Sequence, residues 1–145
     1  MLEGSCLCGA IRFEVDAPLG TIGICHCRRC RKASGSAFGV NASIDAAGFR
    51  LLAGADALAA YAAPTGLTRS FCRHCGAPVY SRRESMPGIL RLRLGLLDTP
   101  IAARPAFHFF TDSKAEWDAI CDSLPQYGER PDDPALMGPP PPRAP

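Results

Sequence analysis

The chain has 145 residues, a formal net charge of +2 and an apolar fraction of 47%. That length suits one domain with a modest core, and so small a charge gives no argument of its own for nucleic acid or a membrane surface as partner. No basic segment leads into an apolar run at Met1–Cys6, and no stretch nears the ~18 apolar residues of a membrane span, so neither a secretory leader nor a transmembrane helix is expected and the cytoplasm is the expected compartment.

In chain order, the first feature is Cys6-Leu7-Cys8, followed at 10–16 by strict alternation. Ile11, Phe13 and Val15 face one way and Arg12, Glu14 and Asp16 the other, the period of a half-buried strand. Next comes Cys25-His26-Cys27-Arg28-Arg29-Cys30, whose basic end (28–34) reads as one helical turn stopping at Ser34-Gly35. Residues 37–44 place Phe38, Val40, Ala42 and Ile44 on one strand face. Segments 67–72 and 77–82 flank Cys72-Arg73-His74-Cys75-Gly76, a tight turn presenting two thiols. Across 88–97, Leu90, Leu92, Leu94 and Leu96 alternate with Arg91, Arg93 and Gly95. Residues 106–111 read as another strand, with His108 on the face opposite Phe107 and Phe109. A second helical turn is expected over 113–121, Ser113 capping it with Glu116 three residues on. Trp117 and Tyr127 read as core or lid packing, and Cys121 as a small core residue. From Pro131 to Pro145 the chain is rich in proline and poor in large apolar groups, so it is expected to be extended or disordered. The fold class that follows is mainly β: a domain over 1–130 and a proline-rich tail over 131–145.

Seven of the eight cysteines lie in the three tight clusters. In a reducing compartment clustered thiols bind metal more often than they pair as disulfides, and Cys-x-Cys is too close for comfortable bridging. Zinc takes thiolates in a tetrahedron, closed in structural sites and with one position open in catalytic ones. Seven thiols suit one closed site and one open one, hence two zinc ions. Pairing Cys6 and Cys8 with Cys72 and Cys75 closes one site and leaves Cys25, Cys27 and Cys30 for the other. A rival partition joins the middle cluster to Cys72 and Cys75. His26 and His74 are read as pointing away from the metal. A three-thiolate zinc site carries net negative charge and suits a soft fourth ligand such as a substrate thiol, and the basic run Arg28–Lys32 beside it offers an attraction for anions or simply a solvated turn.

Four segments together resemble the glutathione-dependent formaldehyde-activating (GFA) family, which includes the centromere protein V group. They are Gly4–Ile11, Cys25–Gly35, Arg69–Gly76, and finally Ser113–Trp117 with Leu124–Tyr127. The resemblance implies an Mss4-like, mainly antiparallel β fold. It implies a structural zinc on Cys6, Cys8, Cys72 and Cys75, and a catalytic-type zinc on Cys25, Cys27 and Cys30. The implied activity is that of a carbon–sulfur lyase joining a small thiol such as glutathione to a small aldehyde such as formaldehyde. The rival reading is a zinc-stabilised module binding protein or nucleic acid, for which the low net charge and a basic run without interleaved aromatics give little support.

Overall fold

The computed structural model describes residues 1–140. Its strands fall into two sheets. The smaller is β1 (Leu2–Ser5), β2 (Arg12–Val15) and β5 (Phe49–Ala53), joined antiparallel in that order. The larger contains β3 (Ile22–Cys25), β4 (Gly39–Asp45), β6 (Leu58–Ala62), β7 (Leu67–Cys72), β8 (Pro78–Arg83), β9 (Ile89–Arg93) and β10 (Pro105–Phe109). Its order is β10-β3-β4-β9-β8-β7-β6, and every pairing is antiparallel except β10 on β3.

Period-two alternation explains the main core. Ile11, Phe13 and Val15 are fully buried, as their spacing predicts, and pack with Ile44, Val79, Leu90 and Leu92 of the larger sheet. Phe13 stacks on Phe49 at 5.2 Å between ring centroids. Glu14 is also buried, because its strand neighbour Arg50 lies directly across and donates Nε–H to its carboxylate at 2.6 Å. A second, smaller cluster gathers Cys25, Phe107 and Phe109, with Tyr127, Leu136 and Met137 packed on it.

Several expectations need correcting. The leucine alternation continues past Arg93, but Leu94–Leu96 form a 3-10 turn whose Leu94 and Leu96 still pack against the core, so apolar alternation does not by itself require extended backbone. No helix forms over 113–121. Thr111–Ser113 is a 3-10 turn, entered through Phe110 at φ 55°, and Ser113 sits at its end rather than capping anything. There the Lys114 ammonium donates to the carbonyls of Ala115 and Asp118, an alternative to helical pairing. Trp117 is 68% exposed and Cys121 is exposed, so neither is a core residue. The start of the proline-rich segment is ordered: Pro134–Met137 (α2) makes one helical turn, started by Asp133 accepting from Ala135 N–H. Thr21 Oγ1 donates to the Ala135 carbonyl and Ser43 Oγ to that of Gly138, which fastens this turn to β3 and β4. Residues 141–145 lie outside the described part.

Candidate metal centres and the adjoining cavity

The structure brings Cys6, Cys8, Cys72 and Cys75 together, and separately Cys25, Cys27 and Cys30; within each group the sulfurs lie within 4.8 Å of one another. The sulfurs are thus grouped as in the first of the two partitions left open by the spacing. Neither His26 nor His74 joins a group.

The four-cysteine group sits where two strand connections meet. Cys6 and Cys8 come from the β1–β2 turn, Cys72 and Cys75 from the β7–β8 turn, so one cluster clips the small sheet to the large one. Gly9 and Gly76, both at positive φ, let the two turns close this tightly. Cys6 Sγ lies 3.6 Å from Cys8 Sγ, and Cys8 Sγ lies 3.8 Å from Cys72 Sγ. Zinc with sulfur at about 2.3 Å and tetrahedral angles would space its ligands by about 3.8 Å, so the donor set fits that ion. Burial pushes the Cys6 thiol up, but the Ile11 N–H at 3.2 Å and the neighbouring Cys8 and Cys72 more than offset it and hold it below its ordinary value. The Ala77 N–H draws Cys75 down to about 6, whereas Cys8, despite an N–H from Ala10, is pushed up to about 11 by Cys6 and the other thiols. Thiolates this close repel each other, and a bound cation removes that conflict.

The three-cysteine group spans the end of β3 and the start of α1 (Arg28–Ser34). Cys27 is the N-cap of this helix, its sulfur accepting from Cys30 N–H at 3.3 Å, and Gly35 at φ 63° ends it. The same conflict appears here: Cys25 is pushed up by Cys27 and Cys30, while Cys27 is drawn down to about 2 by Cys25 and Cys30. Among the described residues no fourth cysteine, histidine or carboxylate completes this group. Three thiols without a fourth protein donor fit a soft cation with one open position.

His26, between two of these cysteines, is fully buried and turns away from the sulfurs. Its Nε2 lies 2.8 Å from His108 Nδ1, and His108 Nε2 lies 3.0 Å from Asp122. The Asp122 carboxyl is held below its usual range, first by the Leu124 N–H and then by His108. An ionised Asp122 makes His108 Nε2–H the donor, so His26 Nε2–H donates in turn and His26 Nδ1 carries a lone pair that no group among the described residues satisfies. The chain of three ties β3 to β10 just behind the cluster. His108 is therefore a buried hydrogen-bonding residue, while Asp122 carried no signal in the sequence.

In front of the cluster lies a cavity of about 370 Å³, lined by Cys25, Cys27 and Cys30 at one side and by Phe109, Phe110 and Met137 at another. The rest of its wall is strongly basic. Arg69, Arg83, Arg91 and Arg93 line it from the sheet, Arg28 and Arg29 from α1, and Arg130 from the C-terminal segment. Strand register explains the sheet residues. Arg69 pairs with Ser81, Ser81 with Arg91, and Arg93 with Asn41, which places all of them on the face shared by Cys25. Leu90 and Leu92, alternating with these arginines, fill the core behind. The alternation at 88–93 separated Arg91 and Arg93 from the leucines, but only the register sets Arg69 and Arg83 beside them.

Such a molecule is a β-rich domain with two thiol clusters suited to a soft cation, one closed and one opening on a basic cavity. The profile of the GFA family, glutathione-dependent formaldehyde-activating enzyme, matches residues 1–113, and the chain belongs to this family. The fourth segment that carried the resemblance begins at the edge of that match and lies almost wholly beyond it. A Halomonas elongata protein described as "Putative glutathione-dependent formaldehyde-activating enzyme" is 32% identical over 125 residues, covering 81% of this chain and 79% of that one. A Rhodobacter sphaeroides protein of known crystal structure is 27% identical, with a TM-score of 0.59 over 69% of this chain and 91% of its own. No helix among the described residues is long and apolar enough to cross a membrane.

Proposed function

We propose that the chain is a zinc-dependent carbon–sulfur lyase that joins a small thiol such as glutathione to a small aldehyde such as formaldehyde, and catalyses the reverse. The observation that carries this reading is the three-cysteine group, with no fourth protein donor among the described residues, set in the wall of a cavity large enough for a small substrate. Cys25, Cys27 and Cys30 would hold the catalytic-type zinc, and Cys6, Cys8, Cys72 and Cys75 the structural one. Zinc bound at the open site supplies the Lewis acidity that keeps an incoming thiol in its thiolate form near neutral pH.

The chain's own residues supply the rest. In the forward direction a sulfur–carbon bond forms, the carbonyl π bond breaks, and the thiol proton ends on the former carbonyl oxygen; nothing is oxidised or reduced. The Arg69 guanidinium points at Cys30 Sγ from 3.9 Å and offsets the charge of the three thiolates. Phe109 and Phe110 form the apolar side and limit water around the reacting atoms. The Asp122–His108–His26 chain fixes the backbone between Cys25 and Cys27. The inward-facing arginines favour a small ligand over a nucleic-acid backbone, and the free thiols suit a reducing compartment such as the cytoplasm.

The test is adduct formation from glutathione and formaldehyde, followed against the spontaneous reaction, with zinc content measured on the same samples. Wild type should exceed background while Cys27→Ser falls to it, keeping one zinc and its fold. Equal rates at background for both proteins, with this pair and also with an anionic thiol or an anionic aldehyde put in place of either partner, refute the reading.

A further inference from the structure

The seven arginines around the cavity have almost nothing negative to face. The cavity lining contains no aspartate or glutamate, and none of the seven is ion-paired with a carboxylate among the described residues. Their polar contacts are to neutral or thiol groups. Arg91 donates to the Met137 carbonyl, Arg93 to Ser81 Oγ at 3.1 Å, and Arg69 approaches Cys30 Sγ. A guanidinium has several more donors than one such contact uses. Burial, followed by repulsion from Arg130, Arg83 and Arg93, holds Arg91 down to about 10. Arg69, Arg83, Arg91 and Arg93 are half-buried while Arg28, Arg29 and Arg130 are exposed, and gathering like charges this way destabilises a fold unless a counter-charge arrives. Zinc on three thiolates would carry one net negative charge, which leaves most of the positive charge unmatched.

We propose that this cavity is built for a compact anion of charge −2 or more: a molecule bearing a phosphate or at least two carboxylates and no ammonium group. It rests on the lyase reading only in making that molecule the thiol or the aldehyde of the reaction. Glutathione meets the criterion poorly, since its two carboxylates come with an ammonium that would sit among guanidiniums. Arg69 and Arg93 lie near Cys30, and the strand register sets Arg91 beside them on the same face of the sheet, so they would grip the anionic groups with the reacting end at the sulfurs. Arg28, Arg29 and Arg130, from outside the sheet, close the cavity's rim. Planar guanidinium forks match phosphate and carboxylate equally well, so the charge is assigned and the choice between the two is left to experiment.

Binding can be measured without turnover. Zinc-loaded protein is titrated calorimetrically with inorganic phosphate, succinate, acetate and S-methylglutathione, and its zinc content is measured afterwards to exclude chelation. Phosphate or succinate should bind at one site at least about tenfold more tightly than acetate or S-methylglutathione, and whichever of the two is tighter names the source of the charge. Arg91→Gln and Arg93→Gln should each weaken that binding about tenfold or more. Arg82→Gln, on an exposed position of the opposite face of β8, should leave it unchanged. Because Arg93 is largely buried and its variant could misfold, Arg130→Gln serves as a second probe from the rim, and far-ultraviolet dichroism checks every variant. Equal affinity for monoanion and dianion, tighter binding of S-methylglutathione, or equal losses in Arg82→Gln overturn the proposal. So does salt-sensitive binding of duplex DNA without saturable uptake of either dianion. Anion binding without thiol–aldehyde activity would sink the lyase reading alone, and activity without anion preference would sink this one alone.

Discussion

The clip between the two sheets gives the most quantitative prediction. Removing one ligand from each cysteine group, Cys72→Ser and Cys27→Ser, deletes one metal in both cases but opens chain loops of very different size. Cys8 and Cys72 are in contact 64 positions apart, whereas Cys25 and Cys30 are five positions apart. Closing a flexible loop costs about 0.6 kcal/mol for each doubling of its length, and the two loops differ by between three and four doublings, so the long one is worth about 2 kcal/mol more once a metal closes it. Cys72 is also fully buried and Cys27 only partly so, which adds to the difference in the same direction. Set against a total stability of roughly 5–15 kcal/mol for a domain, this is easily read. Urea unfolding of both variants, followed by far-ultraviolet dichroism with zinc content measured in parallel, should find Cys72→Ser less stable than Cys27→Ser by about 2 kcal/mol or more. Equal losses, or a larger one in Cys27→Ser, would refute the assignment of the four-cysteine group as the structural clip.

Two further outcomes follow from packing and charge. A Cβ at Gly4 would lie 2.3 Å from Phe13 Cζ and 2.5 Å from the Leu96 carbonyl, so Gly4→Ala should cost about 1–3 kcal/mol in urea; an unchanged midpoint would show that β1 is not seated against Phe13. Burial, then His108, hold the His26 imidazole below its ordinary value. It stays neutral in the folded chain while the unfolded chain takes up a proton near about pH 6.5, so its contribution is complete above that pH and is lost as pH falls below it. His26→Asn should therefore flatten the decline of stability between about pH 7.5 and 5.5, and parallel curves for the two proteins would contradict the burial argument.

The parts legible in the sequence were those set by local period or by thiol spacing. Ile11, Phe13 and Val15, or Leu90 and Leu92, declare their face because alternation is a two-residue signal that burial enforces. The helical turn after Cys27 was legible because its stop, Ser34-Gly35, is local too. What failed were short-range signals overruled by distant partners. Ser113 and Glu116 have capping-box spacing, yet the backbone there is bonded across to 127–129: Thr111 N–H donates to the Tyr127 carbonyl and Asp112 N–H to that of Gly128. The arginine face was hidden for the same reason. Arg69, Arg83 and Arg91 come from three strands, and nothing in any one strand states which others will lie beside it.

The parallel seam between β3 and β10 bears on how the chain is made. β3 can pair with β4 as soon as Asp45 has been synthesised, but its other edge waits for β10, which begins at Pro105. At about 5–20 residues per second this is an interval of roughly 3–12 seconds. Throughout it, Ile22, Ile24 and Cys25 lie on an unpaired strand edge, the kind of edge to which a stray strand from another nascent chain can add. The yield of native protein would then depend on what that edge meets during synthesis as well as on the stability of the finished fold.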